Sequence, residues 1–102
     1  MVGSINVTKI GNPGIADKYI RIDRLSIFGN PHHLHFEKDR TDVISKYETW
    51  FIEQINTNGL FKTLVEDMVN DVRKGVSINL MCHCAPKPCH GDVIKRYMES
   101  LL

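Results

Sequence analysis

Val76-Ser77-Ile78-Asn79-Leu80-Met81 runs into Cys82-His83-Cys84-Ala85-Pro86-Lys87-Pro88-Cys89-His90-Gly91-Asp92 and leaves through Val93-Ile94-Lys95-Arg96-Tyr97-Met98. Val76, Ile78 and Leu80 alternate with other residues, as in a strand with one buried face. Val93, Ile94, Tyr97 and Met98 recur at helical spacing. A strand, a polar loop and a helix start in that order make a common ligand-site arrangement in α/β proteins. The loop holds all three cysteines and two of the five histidines.

Upstream, Ile5–Ile10 is rich in β-branched residues and reads as a strand, ended by the turn Gly11-Asn12-Pro13-Gly14. Lys18–Asp23 reads as a second strand. Ile20 and Ile22 are expected on one face; Tyr19, Arg21 and Asp23 are expected on the other. Arg24–His35 reads as irregular. Gly29-Asn30-Pro31 breaks the chain there, because glycine allows positive φ and proline biases Asn30 away from helix. Thr41 or Asp39 can cap the next helix, whose stripe is Val43, Ile44, Tyr47, Trp50, Phe51 and Ile55. Asn56-Thr57-Asn58-Gly59 interrupts it. A further helix runs from about Leu60 to Lys74, with Phe61, Leu64, Val65, Met68 and Val72 inward and Gly75 as its cap. The order β-β-α-α-β-α gives an α/β protein: a small Rossmann-like single domain over residues 1–102. Three strands make a small sheet, so a homodimer that covers a sheet edge is an expectation.

The bulk numbers bound the function. With 102 residues there is room for one modest core. A formal net charge of +1 points away from a nucleic-acid partner. No apolar run reaches the roughly 20 residues that span a bilayer, and no secretory leader is visible. Three clustered cysteines are no disulfide framework. They suit reduced thiols, a metal site or redox chemistry in the cytoplasm, the host cytoplasm if the protein is viral.

Two readings of the cysteine loop stay open. Cys82, Cys84, Cys89 and His90 form a Cys3His set that tetrahedral zinc would accept, which would make the chain a zinc-stabilised interaction module without turnover. The spacing argues against it: residues two apart on a strand lie about 6.6 Å apart, and two sulfurs on one zinc must lie within roughly 4 Å. Alternatively the loop is an anion or nucleotide site at a helix start, where the dipole favours negative charge and lowers a thiol pKa. Cys89 is then the best-placed thiolate, His90 an acid, base or donor, and Asp92 either orients His90 or caps the loop. Pro86 and Pro88 stiffen the loop. Cys82, and to a lesser degree Cys84, also reads simply as a small core residue extending the strand. His32, His33 and His35 form a second cluster, for which solvated surface histidines are the plainer reading. Arg40 alone reads as a surface charge. Arg24 reads equally as solvated or as a bidentate phosphate clamp.

The chain resembles the family called domain of unknown function 4326, met in bacteria and phages. The resemblance rests on Arg24, Ser26 and Phe28-Gly29-Asn30-Pro31. It rests also on Arg40 with Tyr47 and Trp50, and on Cys82, Cys84, Pro86, Cys89, His90, Gly91 and Asp92. It departs at Asp23, Leu25 and His83, where the family often has glycine, proline and an aromatic residue. The resemblance implies a small α/β domain whose polar motif residues converge, and it carries no activity with it. It groups Arg24, Ser26, Asn30 and Arg40 with the cysteine loop as one set. The expectation is therefore a site for a small phosphorylated ligand, a nucleotide or nucleotide sugar. Arg24 and Arg40 would sit on phosphate, Ser26 and Asn30 on sugar or base, and Cys84 on the opposite wall. Any glycosidic-bond or thiol-dependent group-transfer chemistry would centre on Cys89 and His90 with Asp92. The sequence does not decide between binding and turnover. A redox or thiol-relay protein is a third expectation. No cofactor is required by the residues, zinc being the one candidate.

Overall fold

A computed structural model describes residues 2–32, 36–85 and 87–102. The elements are β1 (Ile5–Lys9), β2 (Lys18–Arg21), a single 3-10 turn (Glu37–Asp39), α1 (Arg40–Thr57), α2 (Gly59–Arg73), β3 (Ile78–Cys82) and α3 (Gly91–Ser100). The α/β class and the element order are as the sequence reading expects. Pro86, His33 and His35 lie outside the described residues.

The sheet has the order β1-β3-β2, and both pairings are parallel. Its register puts Val7, Leu80 and Ile20 in one row, and Asn6, Asn79 and Tyr19 in the next. Side chains alternate across a sheet. The first row and its neighbours Ile5, Ile78, Ile22 and Cys82 therefore face the helices, and the second row faces away. Asn79 is buried on that second face because the β1–β2 loop folds back over it. Its amide donates to the Pro13 carbonyl at 2.6 Å, and the Asp17 and Lys18 amides donate to the Ser77 carbonyl at 3.0 Å. An eight-residue loop, rather than a helix, thus crosses from β1 over the central strand to β2. Its Gly14 has φ of 75°, a backbone conformation that favours glycine.

The helices cover the first face. Tyr47, Phe51 and Ile55 of α1 and Phe61, Val65, Met68, Val69 and Val72 of α2 are buried, as are Val93, Ile94 and Met98 of α3. Aromatic rings knit the layer together: Phe28, Phe51, Trp50 and Tyr97 lie edge-on to one another through Phe61 and Phe51, with centroids 5.1 to 5.8 Å apart. Gly75, φ 99°, closes α2 and turns the chain into β3. Gly91 lets α3 lie directly on the sheet. A Cβ there would stand 2.8 Å from both Ile22 Cδ1 and Val7 Cγ1. That contact sets the start of α3 against the carboxyl ends of the strands. Among the described residues no helix is long and apolar enough to cross a membrane.

Candidate functional site

A cleft of about 470 Å³ opens beyond the carboxyl ends of β2 and β3. Arg24, Leu25, Asn30 and His32 come from the loop after β2. Arg40, Val43 and Ile44 come from the first turns of α1, and His83, Cys84, Cys89 and His90 from the cysteine loop and the start of α3. Arg21 and Asp23 complete the floor. Arg24, Asn30, Arg40, Cys84, Cys89 and His90, all singled out by sequence, meet here although up to 66 positions separate them. Ser26 and Asp92 are absent from the lining.

Ser26 and Asp92 shape the walls. The Ser26 hydroxyl and amide both donate to the Asp23 carbonyl, at 2.9 and 3.0 Å, and the Gly29 amide donates to the Ser26 carbonyl. The loop curls so tightly that a Cβ on Gly29 would lie 2.6 Å from the Asp23 carbonyl oxygen and 2.7 Å from Arg24 Cα. Gly29 is needed for this close approach and not for positive φ, which only Gly14 and Gly75 show among the described residues. Asn30 Oδ1 accepts the His32 amide at 2.8 Å, an Asx turn that leaves the Asn30 NH2 group for other partners. Asp92 Oδ2 accepts the Cys89 amide at 3.1 Å. Of the two roles expected of Asp92, the cap-like one is seen.

Arg40 fastens two walls together. Its guanidinium donates twice to Glu37, at 2.7 and 2.9 Å, and once to the Pro88 carbonyl at 2.8 Å. The Glu37 hydrogen bonds, and then the neighbouring Cys84 thiol, raise the Arg40 pKa further. The Arg40 hydrogen bonds in turn hold the Glu37 carboxyl down at about 2. Arg24 differs: it is exposed, lines the cleft, and has no ion pair among the described residues.

His90 is 9% exposed, with its ring against that of Tyr47 at 4.9 Å between centroids. Its Nε2 bonds the Ile22 carbonyl. A carbonyl only accepts, so Nε2 carries the proton and Nδ1 is left as an acceptor. Burial lowers the His90 pKa, which keeps the ring neutral.

Cys82 and Cys89 are 1% and 3% exposed, and their sulfurs lie 3.1 Å apart. Cys82 is a core residue at the end of β3, as one sequence reading had it, but it also meets Cys89. The shared hydrogen bond lowers the Cys82 pKa to about 6 and, together with burial, raises that of Cys89. The pair thus loses its first proton easily and holds the second. The sequence reading made Cys89 the best-placed thiolate. The fold buries it and pairs it with Cys82, so that the two sulfurs share one proton. Cys84 is half-buried and faces the cleft. Among the described residues no three His, Cys, Asp or Glu side chains are grouped to hold a metal ion.

One constellation escaped the sequence reading. Asp23 is expected on the strand face opposite Ile20 and Ile22, with no role assigned to it, and the fold makes it 6% exposed. Arg21 grips it bidentately at 2.7 and 2.8 Å, and His83 Nε2 lies 3.3 Å from Oδ2, the oxygen that also accepts from Arg21 Nη2. The Arg21 hydrogen bonds lower the Asp23 pKa, against the opposing effect of burial. An Arg and an Asp two apart share a strand face, so that half was readable. His83 is sixty positions away and joins only through the sheet.

The model of the family described as "Domain of unknown function (DUF4326)" matches residues 5–100, and the chain belongs to that family. No curated protein and no solved structure matches it.

Proposed function

We propose that this member of the DUF4326 family binds a small phosphorylated ligand in the cleft, a nucleotide or nucleotide sugar. The observation that carries the reading is Arg24. It is an exposed guanidinium without an ion pair among the described residues, lining a cleft that also has apolar side chains in its walls. A planar fork of donors suits phosphate bidentately. Leu25, Val43 and Ile44 offer the apolar seat a base or a sugar face needs. The Asn30 NH2 group and neutral His90 Nδ1 supply a donor and an acceptor. Arg40, whose charge Glu37 already meets, serves here by holding the Pro88 carbonyl and hence the wall.

Calorimetric titration with AMP and ADP-ribose tests this. Arg24→Ala should weaken binding at least about tenfold, the worth of one lost charge-assisted contact. Unchanged affinity would take Arg24 out of the site, and no binding of either probe would overturn the reading. Chromatography of the same mixtures tests turnover, since Cys89 and His90 border the same cleft. The zinc reading needs Cys84 and His90, through its free Nδ1, to converge on the Cys82–Cys89 pair. Native mass spectrometry of the 11.7 kDa chain reads bound ligand, bound zinc and subunit number together.

A further inference from the structure

Cys82 ends the central strand and Cys89 stands just before α3. Six residues between them turn the chain so that the two side chains point at each other. Both are free thiols, their sulfurs 3.1 Å apart in the core. That is about 1 Å beyond the roughly 2.04 Å of a disulfide. The Gly91 amide donates to the Cys89 sulfur at 3.3 Å and supports negative charge there. Cys89, though only 3% exposed, borders the cleft, the side from which a small molecule would approach, whereas Cys82 is absent from the lining. Cys84, the more open thiol, has no sulfur partner among the described residues.

We propose that Cys82 and Cys89 form a redox-active dithiol, which a small hydroperoxide converts into an intramolecular disulfide. The one proton the pair retains passes across the 3.1 Å contact to Cys82, and the Cys89 thiolate so formed attacks one peroxide oxygen as the O–O bond breaks. Cys89 becomes a sulfenic acid, and the departing oxygen leaves as an alcohol, or as water from hydrogen peroxide, after taking a proton. The Cys82 sulfur then attacks the Cys89 sulfur. The S–S bond forms, the S–O bond breaks, and water leaves with the Cys82 proton. Two thiols and one hydroperoxide give one disulfide, one alcohol and one water. The second step is intramolecular at contact distance, which favours it over further oxidation of the sulfenic acid. The proposal rests on the sulfur pair alone and stands whether or not the cleft binds a nucleotide.

The test is hydrogen peroxide added to the reduced chain, with free thiols counted by alkylation and intact mass. The count should fall from three to one, with loss of two hydrogens and full recovery on adding dithiothreitol. Cys84→Ser should lose its two remaining thiols at a rate within about twofold of the wild type. Fragmentation of the tryptic peptide covering residues 75–95, which holds all three cysteines, should place the link between Cys82 and Cys89. That reading of the wild-type chain decides the matter even if the variant folds poorly. A link through Cys84, a disulfide only between chains, or sulfinic acid with no internal disulfide would each overturn the proposal.

Discussion

The Tyr47 hydroxyl lies wholly inside the protein and donates to the Phe28 carbonyl at 2.8 Å, tying α1 to the loop that carries Arg24 and Asn30. Burial and the nearby Cys89 raise the Tyr47 pKa, so the hydroxyl stays a donor. Tyr47→Phe removes that donor and leaves a buried carbonyl unmet. It should lower unfolding free energy by about 1–2 kcal/mol, read as a shift of the urea midpoint at unchanged slope. Gly29→Ala presses a methyl onto the Asp23 carbonyl and Arg24 backbone, which cannot swing aside as a side-chain tip would. It should destabilise by about 1–3 kcal/mol and also weaken AMP binding, because the same loop places Arg24; equal binding at reduced stability would separate the two effects. Cys84 and His90 stood out from the composition of their own loop, whereas Arg24 and Asn30 joined them only through the family resemblance, and all four line the cleft. Asp23 was not legible in either way. Its burial follows from two partners, and one of them, His83, is reached only across the sheet.

The helices were legible to within a residue or two, because their apolar positions recur at a period no other element shares. Caps sharpened the edges. Asn58, expected only to interrupt the pattern, accepts the Phe61 amide at 3.2 Å and starts α2 there. Asn58→Ala should cost about 1 kcal/mol while Asn58→Asp should retain most of it, as followed by thermal unfolding. The loss should show first in α2, since Phe61 at its first turn is the ring against which Phe28, Trp50 and Phe51 pack. Strand order was not legible. Ile5–Lys9 and Lys18–Arg21 look like neighbours joined by a turn, yet β3 lies between them. What separates them is the pairing of both with a strand some sixty positions on, together with Asn79, whose amide needs the Pro13 carbonyl. Local pattern carries no record of such a partner. The same long-range pairing aligns the strand ends, and so it also creates the cleft.

Two of the buried titratable groups beneath the cleft tie the stability of the whole protein to pH in the same direction. His90 has its pKa lowered by burial, while in the unfolded chain a histidine titrates near 6.5. As pH falls through about 6.5 the unfolded state takes up a proton that the folded state refuses. The contribution of neutral His90 is therefore complete above that pH and is lost as pH falls toward the folded pKa. One proton sets a limiting slope of about 1.4 kcal/mol per pH unit. Asp23 has its pKa lowered chiefly by the Arg21 hydrogen bonds. Its contribution is complete above the unfolded value of about 3.9 and is lost as pH falls from there through the lower folded value. Unfolding free energy should thus decline in two separate stages on acidification, the first below about pH 6.5 and the second below about pH 4. Urea titrations at half-unit steps from pH 7.5 to 3 resolve them. His90→Gln should flatten the first stage, since glutamine can still donate to the Ile22 carbonyl but takes up no proton. Asp23→Asn should make the second shallower without abolishing it, since the lowered Glu37 carboxyl acts in the same range, and should leave the first in place. A first stage that persists in His90→Gln would assign it to the Cys82–Cys89 pair, whose first pKa of about 6 acts in the same range and direction, or to the other histidines, and not to His90.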